Sequence, residues 1–274
     1  MAYPLDANKY INQSTMRAIW SGTIGFGLVN IPVKLYSAVQ DSRLDLDMLD
    51  KRDHAHIKFH RVNEGTGKEV PWDKIVKGYL YNDEYIILED EDFEAAAPEK
   101  TKIINIESFV EETAIDDIYF ETPYFIEPEK SGAKAYALLL KTLEQTGKAG
   151  IGRFVLRTSE HVVVIRPREG YLLLQQLRFQ EEIRSAEDLA LPTGTAAKIQ
   201  KKELDMAVKL VESYTTDFDI SQYKDEYNAE LLKIIKQKAS GKKRTVKKMK
   251  VVHTKSTDLF SQLKASLGNG KRAS

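Results

Sequence analysis

A mostly β fold with some helix is what this sequence predicts: a β-barrel body, then a small helical region, then a basic tail. Three observations carry that expectation. Short segments rich in β-branched and aromatic residues recur through the first two thirds of the chain, separated by polar turns at barrel spacing. Past Leu191-Pro192 the apolar period becomes helical and stays so. Charge then separates along the chain. From Leu231 to Ser274 there are 13 Lys/Arg against one acid, Asp258, a net +12 that leaves −12 for the rest of a neutral protein.

The first fifteen residues lack both the basic start and the apolar stretch of a secretion signal, and Met16 can serve as an internal start, so 1–15 read as an extension. From Ile19 to Val39 the chain reads as two strands, with Pro32 marking an edge or a strand end. Gly22, Gly25 and Gly27 are not a dinucleotide fingerprint, because their order is wrong and β-type residues follow where a helix should open. They let the backbone bend or bulge. Further strands are predicted at Ile57–Val62, Val76–Tyr81, Tyr85–Leu88, Lys102–Phe109 and Ile118–Ile126.

After Ser131, the spacing of Ala133, Tyr136, Ala137, Leu140 and Leu143 predicts a helix that ends before Gly147. Strands resume at Ile151–Thr158, His161–Arg166 and Tyr171–Phe179. Ile199, Leu204, Val208 and Val211 predict one C-terminal helix, and Tyr227, Leu231, Ile234 and Ile235 a second, with Tyr214 to Gln222 a polar loop between them. A short helix over Thr257–Leu267, marginal alone, follows the basic run. The expected division is therefore 16–190 for the body, 191–238 for the helices and 239–274 for a largely flexible tail.

Several function classes fall away on composition. Apolar runs such as Val162 to Ile165 are far below the roughly 18 residues of a membrane helix, so no span is predicted. With no cysteine there is no disulfide framework or thiolate chemistry, which fits a reducing cytoplasm. Asp53, His54, His56 and His60 could share a face as metal ligands, but a metal site is not the expectation. The run Glu89-Asp90-Glu91-Asp92 imitates a carboxylate site, yet no positioned base or phosphate loop accompanies it, and it reads as a solvated turn.

What remains is positive charge. Lys236 to Lys250 holds eight like charges, including Lys242, Lys243, Arg244, Lys247 and Lys248. Such a run releases counterions on meeting phosphates without needing a fixed geometry. A solubilising tail and a membrane-surface tail are the other readings. On the strands, Arg153 and Arg157 are four apart and should point to one side with Val155 between them, Arg166 and Arg168 repeat that spacing in shorter form, and Lys34 sits on an early strand. Composition alone equally allows solvated edges or ion pairs.

Four segments, in order, resemble the prokaryotic Ku family: Arg17 to Tyr36, with its Trp20-Ser21-Gly22-Thr23-Ile24-Gly25-Phe26-Gly27-Leu28-Val29 core; Gly67-Lys68-Glu69-Val70 leading to Ile75-Val76-Lys77-Gly78-Tyr79; Asp90-Glu91-Asp92-Phe93-Glu94; and Ile151-Gly152-Arg153-Phe154-Val155-Leu156-Arg157. The resemblance covers most of the chain from Arg17 to about Lys238. It implies a barrel core with a dimerisation arm, and a homodimeric ring that threads onto double-stranded DNA ends whatever their sequence. No catalysis and no cofactor are implied. In such a ring, Lys34, Arg153, Arg157, Arg166 and Arg168 would meet sugar and phosphate, with the tail adding affinity. It further implies a nucleoid-associated protein of non-homologous end joining that recruits an ATP-dependent DNA ligase, ligase D, for which the stripe Tyr227, Leu231, Ile234 and Ile235 is the expected docking surface. Some relatives carry a cysteine pair just before the Gly-Lys-Glu-Val stretch. Here Asn63-Glu64-Gly65-Thr66 stands instead, so no zinc is expected. Two other classes stay open: a metal-dependent nucleic-acid-processing enzyme using Glu89 to Asp92, and an architectural protein that binds DNA through its tail.

Overall fold

In the computed structural model, residues 16–97, 101–192, 198–241 and 259–269 are described. The chain divides into two units, one built from the residues through Ser42 together with Asp47–Arg184, the other from Arg43–Leu46 together with the residues from Ser185 onward.

Strand β1 (Trp20–Phe26) turns tightly through Gly27 and Leu28 into β2 (Val29–Ser37). Gly27 takes φ 56°, the left-handed value that glycine adopts without a Cβ clash. Five more strands complete the first unit's body: β5 (Ile103–Glu111), β6 (Phe120–Pro128), β7 (Lys148–Leu156), β8 (Ser159–Arg168) and β9 (Tyr171–Leu177). They close into a barrel in the order β1-β2-β6-β9-β8-β7-β5. Every neighbouring pair is antiparallel except the closing one, where β1 runs parallel to β5 with Thr23 opposite Ile103. A Cβ on Gly22 would sit 2.3 Å from the Lys102 carbonyl oxygen, so only glycine lets that seam close. The Thr23 N–H donates to the same oxygen at 2.9 Å. Since that N–H points to β5, the Thr23–Pro32 pair makes no demand on the N–H that proline lacks, and Pro32 lies inside β2, just outside its pairing with β6.

Alternation fills the barrel. Ile24, Ile31, Val33, Leu35, Ile104, Phe154, Val163, Ile165, Leu172 and Leu174 are buried in one cluster, and Trp20 meets Phe154 edge-on at 5.7 Å between centroids. Helix α2 (Ala133–Thr146) adds Tyr136, Leu139, Leu140 and Leu143 to that cluster and stops at Gly147, φ 65°. The Tyr136 hydroxyl donates to the Ile126 carbonyl at 3.0 Å and accepts from the Leu172 N–H at 2.7 Å. Burial holds this phenol above its ordinary pKa.

The chain leaves the barrel after Ser37 and re-enters it at Ile103, both at the Trp20 end, and the first unit's described residues between them, from Asp47 to Ala97, form an arm. Within it, β3 (Lys77–Tyr81) and β4 (Glu84–Leu88) form a separate two-stranded sheet. Asn82 and Asp83 supply its two left-handed turn residues, at φ 49° and 65°. The strand expected at Ile57–Val62 is not formed. Its alternation breaks at His60-Arg61, and it is held only by isolated pairings: the Ile57 N–H donates to the Met48 carbonyl, the Val70 N–H to the Arg61 carbonyl, beside the single bridges Leu49–His56 and Val62–Glu69. The expected solvated turn at Glu89–Asp92 is instead a helix start: α1 (Asp90–Ala96) opens on a reciprocal cap in which the Glu89 N–H donates to Asp92 Oδ2 at 2.9 Å.

The second unit holds α3 (Lys201–Tyr214), α4 (Glu226–Ala239) and α5 (Leu259–Asn269), with α5 packed on α3. Asp225 caps α4 by accepting from the Asn228 N–H. The apolar residues that predicted α3 are exposed: Leu204, Val208 and Val211 face solvent, whereas Met206, Ala207 and Leu210 are half-buried. α3 carries apolar residues on both sides, so periodicity alone does not pick the covered face.

Replacing Tyr136 by Phe keeps the ring but orphans one buried N–H and one buried C=O. Urea unfolding of Tyr136→Phe is expected to show a loss of about 2 kcal/mol, and a loss indistinguishable from zero would remove this hydroxyl from the ties between helix and barrel.

Candidate nucleic-acid interface

Lys34 projects from the outer face of β2, between the buried Val33 and Leu35. Its cross-strand neighbour Glu127 accepts from the Tyr36 hydroxyl at 2.5 Å, a bond that pushes the Tyr36 phenol above its ordinary pKa. Lys34 has no carboxylate within ion-pair reach among the described residues.

Arg153 also faces outward, from β7, but it is clamped. Its Nε lies 3.4 Å from Glu107 and its Nη1 3.2 Å from Glu160. Arg157 does not share its side. β7 ends at Leu156, and Arg157 is the first residue of the turn into β8, at φ 63°. The four-residue spacing assumed one continuous strand, whereas the hairpin reverses one residue too early. A non-glycine residue in the left-handed region stores about 1–2 kcal/mol of backbone strain. No ion pair engages Arg157 among the described residues, and its charge is felt by Tyr124.

Arg166 and Arg168 come together on the outer face of β8 around one carboxylate. Glu112 Oε1 is 2.8 Å from Arg168 Nη1 and 3.5 Å from Arg166 Nη1. Glu112 itself is fixed because its N–H donates to the Gly147 carbonyl. The Arg166 side chain is 13% exposed, stacks 4.3 Å over the Phe120 ring, and donates to Gln175 Oε1 at 2.5 Å. Burial, and then the charge of Arg168, pull its pKa down, while Glu112 opposes them. This is a half-buried network that ties the β5–β6 connection to the barrel wall. Lys242, Lys243, Arg244, Lys247 and Lys248 lie outside the described residues.

The arm adds cations that the sequence reading passed over. Lys58, Arg61, Lys68, Lys74 and Lys77 have no carboxylate within ion-pair reach among the described residues, and Arg61 and Lys77 stand over Trp72 and Phe93 at 4.2 and 4.6 Å. They are single residues spread among acids, so no charge run announced them. The histidines are used separately: His60 pairs with Glu69 at 2.9 Å and His56 lies 3.9 Å from Asp47. No group of three metal-ligating side chains occurs among the described residues. Asn63 closes its own turn, its Oδ1 accepting from the Thr66 N–H and its carbonyl from the Gly67 N–H.

The arm's hairpin is exposed on both faces. Tyr79, Tyr81, Tyr85, Leu80, Ile86 and Ile87 are all open to solvent. A two-stranded ribbon of this kind is marginal in water, and so large an uncovered apolar surface marks an interaction site. On α4, Tyr227 and Ile235 are exposed while Leu231 and Ile234 are half-buried, and Tyr214, Phe218 and Tyr223 continue an exposed aromatic run before it. No helix among the described residues is long and apolar enough to cross a membrane.

Residues 25–206 match the family model described as Ku70/Ku80 beta-barrel domain. The chain is 39% identical over 257 residues to a protein of Coxiella burnetii named Non-homologous end joining protein Ku, covering 92% of this chain and 94% of that one. Proteins of the same name from Archaeoglobus fulgidus and Bacillus subtilis are 41% identical over 254 residues and 36% over 260, covering 92% and 94% of this chain and 98% and 83% of theirs.

The strained turn offers a separable test. Arg157→Gly relaxes the backbone, so thermal unfolding should show stability unchanged or raised by up to about 1 kcal/mol. If Arg157 neutralises a phosphate, the same variant should flatten the log–log salt dependence of duplex binding by about 0.9. An unaltered slope would place Arg157 outside the interface.

Proposed function

This chain belongs to the Ku family, and we propose that it is a homodimeric, non-enzymatic ring that threads onto double-stranded DNA ends in non-homologous end joining. The observation that carries the reading is the pairing of a closed barrel with an arm that leaves and returns at one barrel end and keeps both faces of its hairpin uncovered. A second copy related by a two-fold axis covers that hairpin and closes the ring. The names of the relatives supply the pathway.

Contact with sugar and phosphate rather than base edges makes binding independent of sequence. Lys34, Arg157 and the arm cations are the first candidates for that contact, because no carboxylate neutralises them among the described residues. Arg153, Arg166 and Arg168 contribute through exchange of their glutamate partners for phosphate, or by holding the wall on which the others sit. The tail lysines add affinity without fixed geometry. End selectivity follows from topology, since a closed ring has no other route onto a duplex, and no chemistry at the break or cofactor is required. Glu89 and Asp92 serve as a helix cap, which gives the enzyme reading nothing further to stand on. The reading also makes the protein cytoplasmic and nucleoid-associated, with ligase D recruited through the partly exposed aromatic and aliphatic face of Tyr227, Leu231, Ile234 and Ile235.

Linear duplex of any sequence is expected to bind far more tightly than covalently closed circles in a competition gel shift. Effective competition by relaxed circles at equal mass would sink the ring. For the partner surface, Leu231→Glu with Ile235→Glu should lower stimulation of purified ligase D roughly tenfold while end binding persists. Retained stimulation in the folded double variant would remove α4 from recruitment, and joint loss of dimer and DNA binding would identify its stripe as buried packing.

A further inference from the structure

At the barrel end opposite the arm, a cavity of about 410 Å³ opens between α2 and the tip of the β1–β2 hairpin, lined chiefly by Phe26, Val29, Phe109, Leu138, Leu139 and Leu143. Leu28 stands at that hairpin tip and is 100% exposed. Tight hairpin turns favour Gly, Asn and Asp, whose backbones and side chains suit the bend. Leucine in the second turn position has no such role, and Leu28 makes no use of the adjacent cavity. Leu138, on the rim, is likewise 68% exposed. Among the described residues, one face therefore carries an apolar hole and, beside it, an exposed apolar knob.

We propose that this face docks a second copy of itself across a two-fold axis, Leu28 of each copy entering the cavity of the other. An isologous contact requires knob and hole on the same surface, and here they are separated by a single turn. The size of the patch sets its strength. Leu28, Val29, Phe109 and Leu138 are the large exposed apolar residues around it, against the roughly 20–30 residues per side of a stable interface. The contact is weak between free molecules and forms where copies are concentrated on shared or neighbouring DNA. It lies away from the arm, so it joins ring dimers to one another rather than building the ring, and to that extent it rests on the proposed function.

The test is sedimentation velocity of the full chain, free at high concentration and bound to a short blunt duplex. Wild type should associate beyond its basic unit in both settings, more readily on DNA. Leu28→Lys and Leu138→Glu should each weaken that association by about tenfold or more. An equimolar mixture of the two variants should restore it, because the ammonium introduced at the knob of one copy then meets the carboxylate introduced at the rim of the other. Gel shifts on the same duplex should be unchanged, and thermal melts should show both variants folded. No association of wild type, association untouched by both substitutions, or a mixture no better than the single variants would overturn the contact. Because the free protein is measured as well, failure of DNA binding would count against the ring and leave this comparison intact.

Discussion

The parallel seam between β1 and β5 is the contact on which the rest of the first unit depends. It is where the first strand meets the strand that follows the arm, with Thr23 donating to the Lys102 carbonyl over a glycine that leaves room for nothing larger. Antiparallel hairpins can zip locally, but this pairing, like that of β2 with β6, has to bring together segments separated by the whole arm, and so carries a high loop-closure entropy. Once closed, it fixes both ends of the arm on one barrel end. The arm is then a strap rooted at two points, and the hairpin within it is held out where the barrel cannot cover it.

That constraint explains how charge is divided. On the barrel wall the arginines are matched: Arg153 between Glu107 and Glu160, Arg166 and Arg168 around Glu112. Wall residues have neighbours on both flanking strands, and a carboxylate across the ladder is the cheapest way to hold a cation partly out of water. Along the arm Arg52 pairs with Asp50, but Lys58, Arg61, Lys68, Lys74 and Lys77, like Arg157 at the β7–β8 turn, have no carboxylate within ion-pair reach among the described residues, and Arg61 and Lys77 stand over aromatic rings. Apart from Lys34 on β2, these unmatched cations lie where the chain leaves the sheet.

Most of the barrel was legible because its elements obey local rules. The β1–β2 pair, the stripe of α2 with Gly147 behind it, and the strands from Lys148 to Leu177 follow from period, turn chemistry and side-chain size. What the sequence hid depends on long-range partners. Ile57–Val62 is apolar enough for a strand but makes only isolated bridges, so composition without a continuous partner decides nothing. Arg157 leaves the face of Arg153 because a turn begins one residue earlier than apolarity suggested. Glu89 to Asp92 read as a solvated turn because no positioned base or phosphate loop accompanies it, yet acids in a first helical turn are stabilised by the helix dipole. Of the candidate site, residue types were readable and partners were not: nothing local to Arg166 points to Glu112 or Phe120.

The central claim is topological, and trapping tests it most directly. The protein is loaded on linear duplex, both DNA ends are then closed by ligation into a circle, and the complex is challenged with salt high enough to abolish phosphate contacts. A ring remains threaded on the closed circle and is released when the circle is cut. Dissociation from closed circles as fast as from open linear DNA would contradict a ring and leave only a basic surface that binds and lets go.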